Sequence, residues 1–376
     1  MSPRCQARHL GRQRAARGFT LVELMVAIAL GLVLLTVLVS LIISSVTNRS
    51  ELDKSSRQIE NGRYALETLV NDIQMAGFKG HTGIQSWDRV MPAACPANTA
   101  DLGYTSTAGS PQKVPLPVVG LTDVPSCLAS AASGANVKTG TGMLLVTRAS
   151  SEVLAPVAAQ PGEHYIQVST CEDDPLSFEA GSPAAPDPAG GSSAAPKFEL
   201  RKKDCSSSNL ASLRKLVHRI YFISDCNECG KDTIPTLKVA EFINGSMVIS
   251  PLVDGIDDLQ FDYGIDMDHN GSPDCYVSAP GAPPSTEIDV ATCPQTSPAY
   301  DWTKADENWL NVMAVRVHLL ARNTEPSPGW AAEEKKRTYA LGLAHPQVGR
   351  FDDNYKRHAF STVARLINDS GIRELP

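Results

Sequence analysis

No proline interrupts the chain between Pro3 and Pro92, so nothing in that stretch forces a helix to kink and a straight one is expected. No charged residue occurs from Leu24 to Asn48, a run longer than the ~20 apolar residues that cross a bilayer core. Residues 1–18 contain no acid and five arginines, Arg4, Arg8, Arg12, Arg14 and Arg17. Without these five charges the net charge falls from −7 to −12. An acidic body of that kind argues against a nucleic-acid binder, which needs basic patches, and against docking onto anionic lipid. Catalytic signatures are missing too: there is no Gly-x-Ser-x-Gly elbow, no His-Glu-x-x-His helix and no Walker A loop. Thr139-Gly140-Thr141-Gly142 lacks the later glycine and lysine of a phosphate loop and reads as a turn into a strand. The eight histidines are scattered, and His218 and His318 sit in strand patterns where a structural role suffices.

The N-terminal region carries the strongest signal. Arginines before the apolar run and none immediately inside it predict a cytoplasmic N-terminus and an exported C-terminus. A secretory signal peptide has a shorter apolar region followed by a small-x-small cleavage site; here the run continues and no such site is evident. Glu23 stands alone at the head of the run. A carboxylate at membrane depth costs about 2.5–3.5 kcal/mol, softened here by the edge position and the positive end of the helix dipole. Cleavage after Gly18 would give Phe19 a positively charged amine, and Glu23 could pair with such an amine on its own chain or a neighbour's.

Past the membrane run the pattern stays helical. Ile59, Leu66, Leu69, Val70 and Ile73 recur at helical spacings, with Glu60, Arg63, Glu67 and Asp72 between them. The expected helix runs over 19–76, with a membrane span at about 24–46, an amphipathic half at about 49–76 and Gly77 as its stop. At 1.5 Å per residue it would be about 87 Å long. Residues 77–376 then form an exported globular domain.

That domain reads as strands and loops. Met143–Arg148, Tyr165–Ser169, Leu216–Ser224, Leu237–Ile243, Leu259–Ile265, Val312–Ala321, Thr338–Leu343 and Ala359–Ile367 are β-branched or alternating runs. No ten-residue helical pattern separates them, so an α+β fold is expected, with a mainly antiparallel sheet packed on the long helix. Two stretches rich in Pro, Ala, Gly and Ser, at about 177–196 and 278–298, read as flexible loops. Apart from Cys5 in the leader, eight cysteines lie in the exported part, which reads as up to four disulfides. Spacing does not fix their connectivity. Sequence neighbours are the expected pairs: Cys95 with Cys127, Cys171 with Cys205, Cys226 with Cys229, Cys275 with Cys293. Such bonds tie down loops, worth roughly 3 kcal/mol for a 15-residue loop. Cys226-Asn227-Glu228-Cys229 would be half a zinc site, but a second Cys-x-x-Cys or a His partner is missing.

Asp266-Met267-Asp268-His269-Asn270-Gly271-Ser272-Pro273-Asp274 is the most chemical-looking motif. Oxygen ligands at alternating positions with glycine sixth match the start of an EF-hand-type calcium loop. Asp266, Asp268 and Asn270 would give side-chain oxygens, Ser272 its carbonyl, and Asp274 a direct or water-bridged ligand. The twelfth position is Val277, which is no ligand, and Asp262 is a candidate substitute. The plainer reading is an Asn-Gly hairpin turn carrying solvated acids.

Gly18-Phe19-Thr20-Leu21-Val22-Glu23 resembles the class III signal of type IV prepilins and type II secretion pseudopilins. The resemblance implies cleavage after Gly18 by the prepilin peptidase, methylation of the Phe19 amine, and a role for Glu23 in filament assembly. The chain departs from major pilins in lacking their helix-breaking proline. Ile73-Gln74-Met75-Ala76-Gly77-Phe78-Lys79-Gly80 and the segment from Arg357 to Asn368 resemble the PilW family of minor pilins. That resemblance implies a non-enzymatic, type IV pilin-like protein with no required cofactor. It implies a prepilin in the inner membrane with its C-terminal domain in the periplasm, later found in the pilus at the cell surface. Its implied partners are other minor pilins, the major pilin and a pilus-tip adhesin, with roles in pilus initiation or a tip complex, adhesion and twitching. The alternatives are a J-type pseudopilin of type II secretion and, from another class, a membrane-anchored periplasmic enzyme.

Overall fold

The computed structural model describes residues 18, 20–80, 87–107, 110–129, 134–183, 197–280, 293–327 and 336–374. Two compact units are distinguished, residues 1–53 and 54–376. The first contains the start of helix α1 (Leu21–Met75). Here the large apolar side chains from Leu21 to Val46 are all exposed, as a helix that meets lipid requires. Its few hydroxyls turn inward on their own helix: Thr36 donates to Val33 O at 2.8 Å, Ser40 to Val37 O at 2.8 Å and Thr47 to Ile43 O at 2.9 Å. These three hydroxyls need no partner from outside.

The second unit holds the strands. They are β1 (Asp88–Val90), β2 (Lys113–Pro115), β3 (Val118–Leu121), β4 (Met143–Ala149), β5 (Tyr165–Val168), β6 (Phe178–Gly181), β7 (Leu213–Ser224), β8 (Thr236–Ile243), β9 (Ser246–Asp254), β10 (Ile256–Ile265), β11 (Cys275–Val277), β12 (Val312–Arg322), β13 (Thr338–Tyr339), β14 (Val348–Gly349) and β15 (Arg357–Arg365). A seven-stranded sheet is built around β7, which pairs with β4, β5 and β8; β3, β6 and β9 extend it. A four-stranded sheet has the order β11-β10-β12-β15. All pairings in both are antiparallel. Among the described residues, the short helices after β10 are α2 (Ala305–Leu310) and α3 (Ile367–Arg373). The fold is α+β, a type IV pilin-like arrangement of a long N-terminal helix, antiparallel sheets and four disulfides.

The second half of α1 joins both sheets in one core. Ala65, Leu69, Ile73 and Ala76 are fully buried with Leu144, Ile220 and Phe222 of one sheet and Val315, Val317 and Leu319 of the other. The contact face differs from the expected apolar stripe. It is centred on Gln58, Gly62, Ala65, Leu69, Asp72 and Ile73, while Leu66 and Val70 are half-buried at its border and Ile59 is exposed. Small residues permit the approach: a Cβ on Gly62 would run into the Phe360 ring. Polar ones tie it. The Gln58 amide donates to Ala321 O at 2.7 Å and Lys356 O at 2.9 Å.

The C-terminal end of α1 is closed by side chains as well as by glycine. Gly77 adopts φ +73°, which suits only glycine without strain, and its N–H donates to Thr147 O at 2.9 Å. Asn368 at the start of α3 donates to the last carbonyls of α1, closest to Ala76 O at 3.0 Å. Lys79 is buried with its ammonium on Gly77 O at 2.7 Å. Burial, with Arg89 nearby, lowers it to about 7, and Asp369 opposes the shift.

Several expectations are corrected here. Phe178–Gly181 lies inside the stretch expected to be loop at about 177–196, yet it forms β6 on β5. Phe178 is fully buried with Trp87 edge-on at 5.0 Å, a tertiary anchor that local composition hides. Of the two loop regions, 184–196 and 281–292 lie outside the described residues. The closing strand ends at Arg365, because Ile367 already begins α3. Thr338–Leu343 keeps only two strand residues, Thr338 and Tyr339.

Candidate assembly and metal sites

At the head of α1, Thr20 and Glu23 form a reciprocal cap. The Thr20 N–H and hydroxyl both donate to Glu23 Oε2 at 3.0 Å, and the Glu23 N–H donates to Thr20 Oγ1 at 3.2 Å. This is a capping box, Thr at the N-cap and Glu three residues on. The expected partner of Glu23 is a Phe19 amine; its local capping role is signalled by the Thr-x-x-Glu spacing. Gly18 is exposed. Phe19, the expected methylation site, and residues 1–17 of the expected leader lie outside the described residues.

The eight described cysteines form four bonds: Cys95–Cys127, Cys171–Cys205, Cys226–Cys229 and Cys275–Cys293. The last ties β11 to Cys293 across the second loop region. Cys226 and Cys229, bonded to each other, are thereby removed as zinc ligands.

The loop between β10 and β11 gathers its acids as the spacing implies. One carboxylate oxygen each from Asp266, Asp268 and Asp274 lie within 4.8 Å of one another. Backbone N–H groups already use part of this set: Asn270 and Gly271 donate to Asp266 at 3.1 and 3.0 Å, and Met267 donates to Asp274 at 2.6 Å. Asn270 accepts the Ser272 N–H at 2.8 Å. His269 and Gly271 take positive φ, +61° and +86°, to make the turn. The cation of the loop is supplied by α3: Arg373 donates to Asp266 Oδ2 at 2.9 Å and also to Leu310 O and Asn311 Oδ1, each at 2.9 Å. Asp266 is fully buried. Burial alone would raise its carboxyl, but Arg373 and the two N–H donors outweigh it and hold the group below the usual carboxylate range. Val277 is buried in β11 and offers no oxygen from its side chain. Asp262, the candidate substitute, is engaged elsewhere: it accepts from Leu343 N at 3.0 Å and lies 2.9 Å from His318 Nε2. Beside the loop lies a groove of about 790 Å³, floored by Met267, Leu310, Met313 and Ile372 and reaching Arg89 and Asp369.

A third cluster was not anticipated. Asp72, buried on α1, accepts Arg148 Nε at 2.6 Å and the Tyr221 hydroxyl at 2.6 Å, with Arg219 at 3.5 Å. Burial, and then the Asp72 charge, push the Tyr221 phenol up. In the sequence Asp72 looked like one of the polar residues between apolar ones; only the docking of α1 on β4 and β7 turns it inward.

Comparison with known proteins matches two family models. Residues 13–39 match the prokaryotic N-terminal methylation motif, and residues 220–368 match PilW, described as Type IV Pilus-assembly protein W. No curated protein and no solved structure matches the chain. The first match covers the end of the expected leader, the capping box and the head of the apolar helix; the second runs from the middle of β7 through β15 into α3. The two matches together support a PilW-type pilin with a class III prepilin signal and a minor-pilin role in type IV pilus assembly.

Proposed function

We propose that the chain is made as an inner-membrane prepilin with its cysteine-bearing body in the periplasm, is cleaved after Gly18 and methylated on Phe19, and joins a minor-pilin complex that starts or caps the pilus. The observation that carries this reading is the methylation motif at 13–39, set directly on a helix whose first turns are apolar on every side. Four disulfides in residues 95–293 support an oxidising compartment for the body. Other minor pilins, the major pilin and a tip adhesin are its partners, and piliation, adhesion and twitching depend on them. Intact-mass and N-terminal analysis of the mature chain tests the processing. The expected first residue is N-methylated Phe19; a mature chain that still begins upstream of Gly18 removes the reading.

A second reading concerns the β10–β11 loop. We infer that it takes calcium weakly, through Asp266, Asp268, Asn270, Ser272 and Asp274, supported by the convergence of three carboxylates. Calcium takes 6–8 oxygens, so water would complete the shell. Arg373 competes for Asp266, and removing it should strengthen binding. Arg373→Ala is expected to bind calcium at least about tenfold more tightly than the parent, read by isothermal titration of the full chain in detergent with magnesium as the control. Absence of heat from both proteins at millimolar calcium would sink the idea.

A further inference from the structure

The two sheets differ in how their edges are guarded. Exposed strand edges template pairing with another chain, and proteins blunt them with short strands, proline or bulges. Edge strands β3, β6 and β11 have only four, four and three residues. β9 is long but carries Pro251, and its pairing with β8 slips in register between Leu237 and Lys238. β15 has none of these devices. It runs nine residues, without proline, in unbroken register with β12 from Arg357↔Arg322 to Arg365↔Ala314.

The direction of its backbone groups follows from the ladder. Leu366 N–H donates to Met313 O at 2.8 Å and Asn323 N–H to Lys356 O at 3.0 Å, both continuing the same register. In an antiparallel pair such residues alternate with ones that turn away. The even-numbered residues of β15 therefore face β12, and Arg357, Ala359, Ser361, Val363 and Arg365 turn their N–H and C=O outward. Arg357 O agrees, since it accepts the Tyr339 hydroxyl at 3.2 Å. The main chains of Ala359, Ser361, Val363 and Arg365 make no outward hydrogen bond to any described residue.

The surroundings define what could fill this edge. On one flank is α1, where Gly62 meets Phe360 of β15. Ile59, Leu66 and Val70, at i, i+7 and i+11, line the border next to Gly62; Ile59 is 42% exposed. On the other flank Val363 is 47% exposed. Arg63, exposed on the same border, has no acidic partner among the described residues, in a chain whose net charge is −7.

We propose that β15 is a strand-addition site that receives an extended segment of another pilus subunit, with apolar residues at alternate positions and an acidic residue that meets Arg63. Unpaired N–H and C=O groups in a row are satisfied only by extended backbone. The two apolar flanks select side chains of period two, and the unpaired guanidinium selects the acid. The proposal rests on the pilus-assembly reading.

Val363→Pro tests it, because proline removes an outward N–H without touching the ladder to β12. The variant is expected to melt with the parent and to lower surface piliation at least about tenfold, the loss that corresponds to one missing strand contact; Val363→Ala retains pili. Wild-type piliation by a folded Val363→Pro overturns the proposal, while loss of pili on deleting the whole chain shows that the pilus reading itself survives. If Val363→Pro does not fold, amide exchange on the wild-type chain decides. The amides of Ala359, Ser361 and Val363 are expected to exchange on the order of 100-fold more slowly in sheared pili than in the detergent-solubilised full chain. Equal, fast exchange in both overturns the site. Protection already present in the solubilised chain means that a second copy covers the edge and overturns the choice of partner.

Discussion

Replacing Asp72 with alanine is expected to destabilise the body by about 3–5 kcal/mol, the scale for removing one partner from a buried ion pair. Domain stabilities are themselves only about 5–15 kcal/mol, so the variant should sit near the edge of folding. The reason lies in what is left behind. Arg148 Nε, the Tyr221 hydroxyl and Arg219 converge on one carboxylate; without it Arg148 and the Tyr221 phenol lose their carboxylate in the helix–sheet interface, while Arg219 keeps Glu241 at 3.2 Å. Water cannot easily replace it, since Ala65, Leu69 and Ile73 beside it are fully buried. Asp72→Asn keeps the shape and one acceptor oxygen but not the charge, and should fall between the two. Urea unfolding of the full chain with its disulfides intact measures the effect. Pairing Asp72→Ala with Arg148→Met should cost much less than the sum of the two, because the second change removes the stranded charge. A loss below about 1 kcal/mol for Asp72→Ala, the scale of an exposed pair, would show that the cluster does not hold α1 to the sheet.

Asp72 also marks where the sequence stops being legible. Long-range alternation is visible locally, so β7, β8, β10 and β12 can be read from their own side chains, and the apolar run of α1 from its length. The eight described cysteines pair with sequence neighbours, each bond closing a nearby loop. The contact face of α1 could not be read this way. Periodicity favours Ile59, but close docking favours small residues, and Gly62 and Ala65 take the centre. β6 and β9 escaped for a related reason: Phe178 is buried by a distant Trp87, and the alternation of β9 is mostly half-exposed. The acidic loop was legible as a set of oxygens, whereas its present cation was not. Arg373 is 99 residues beyond Asp274 in the chain, on a helix hidden at the end of an expected strand.

Glu23 calls for the opposite kind of test, since two roles meet on one side chain. Its carboxylate closes the first turn of α1 with Thr20, and the assembly reading gives the same carboxylate to a methylated Phe19 amine in the filament. Alanine removes both and cannot separate them. Glutamine can, because it serves at the third position of a capping box as glutamate does but carries no charge. Glu23→Gln is expected to leave the solubilised chain unchanged in helix content and membrane level, yet to lower incorporation into sheared pili at least about tenfold, as losing one member of a desolvated charge pair does. Thr20→Val should do the reverse. It weakens the cap by about 1 kcal/mol and frees the carboxylate, so incorporation should be kept. The readouts are immunoblots of sheared pili against membranes, with circular dichroism of the solubilised chain. If Glu23→Gln assembles normally while Thr20→Val does not, the carboxylate matters only as a cap. The charge at the head of the helix would then set no register between subunits, and recognition would fall to other surfaces of the chain, the β15 edge among them.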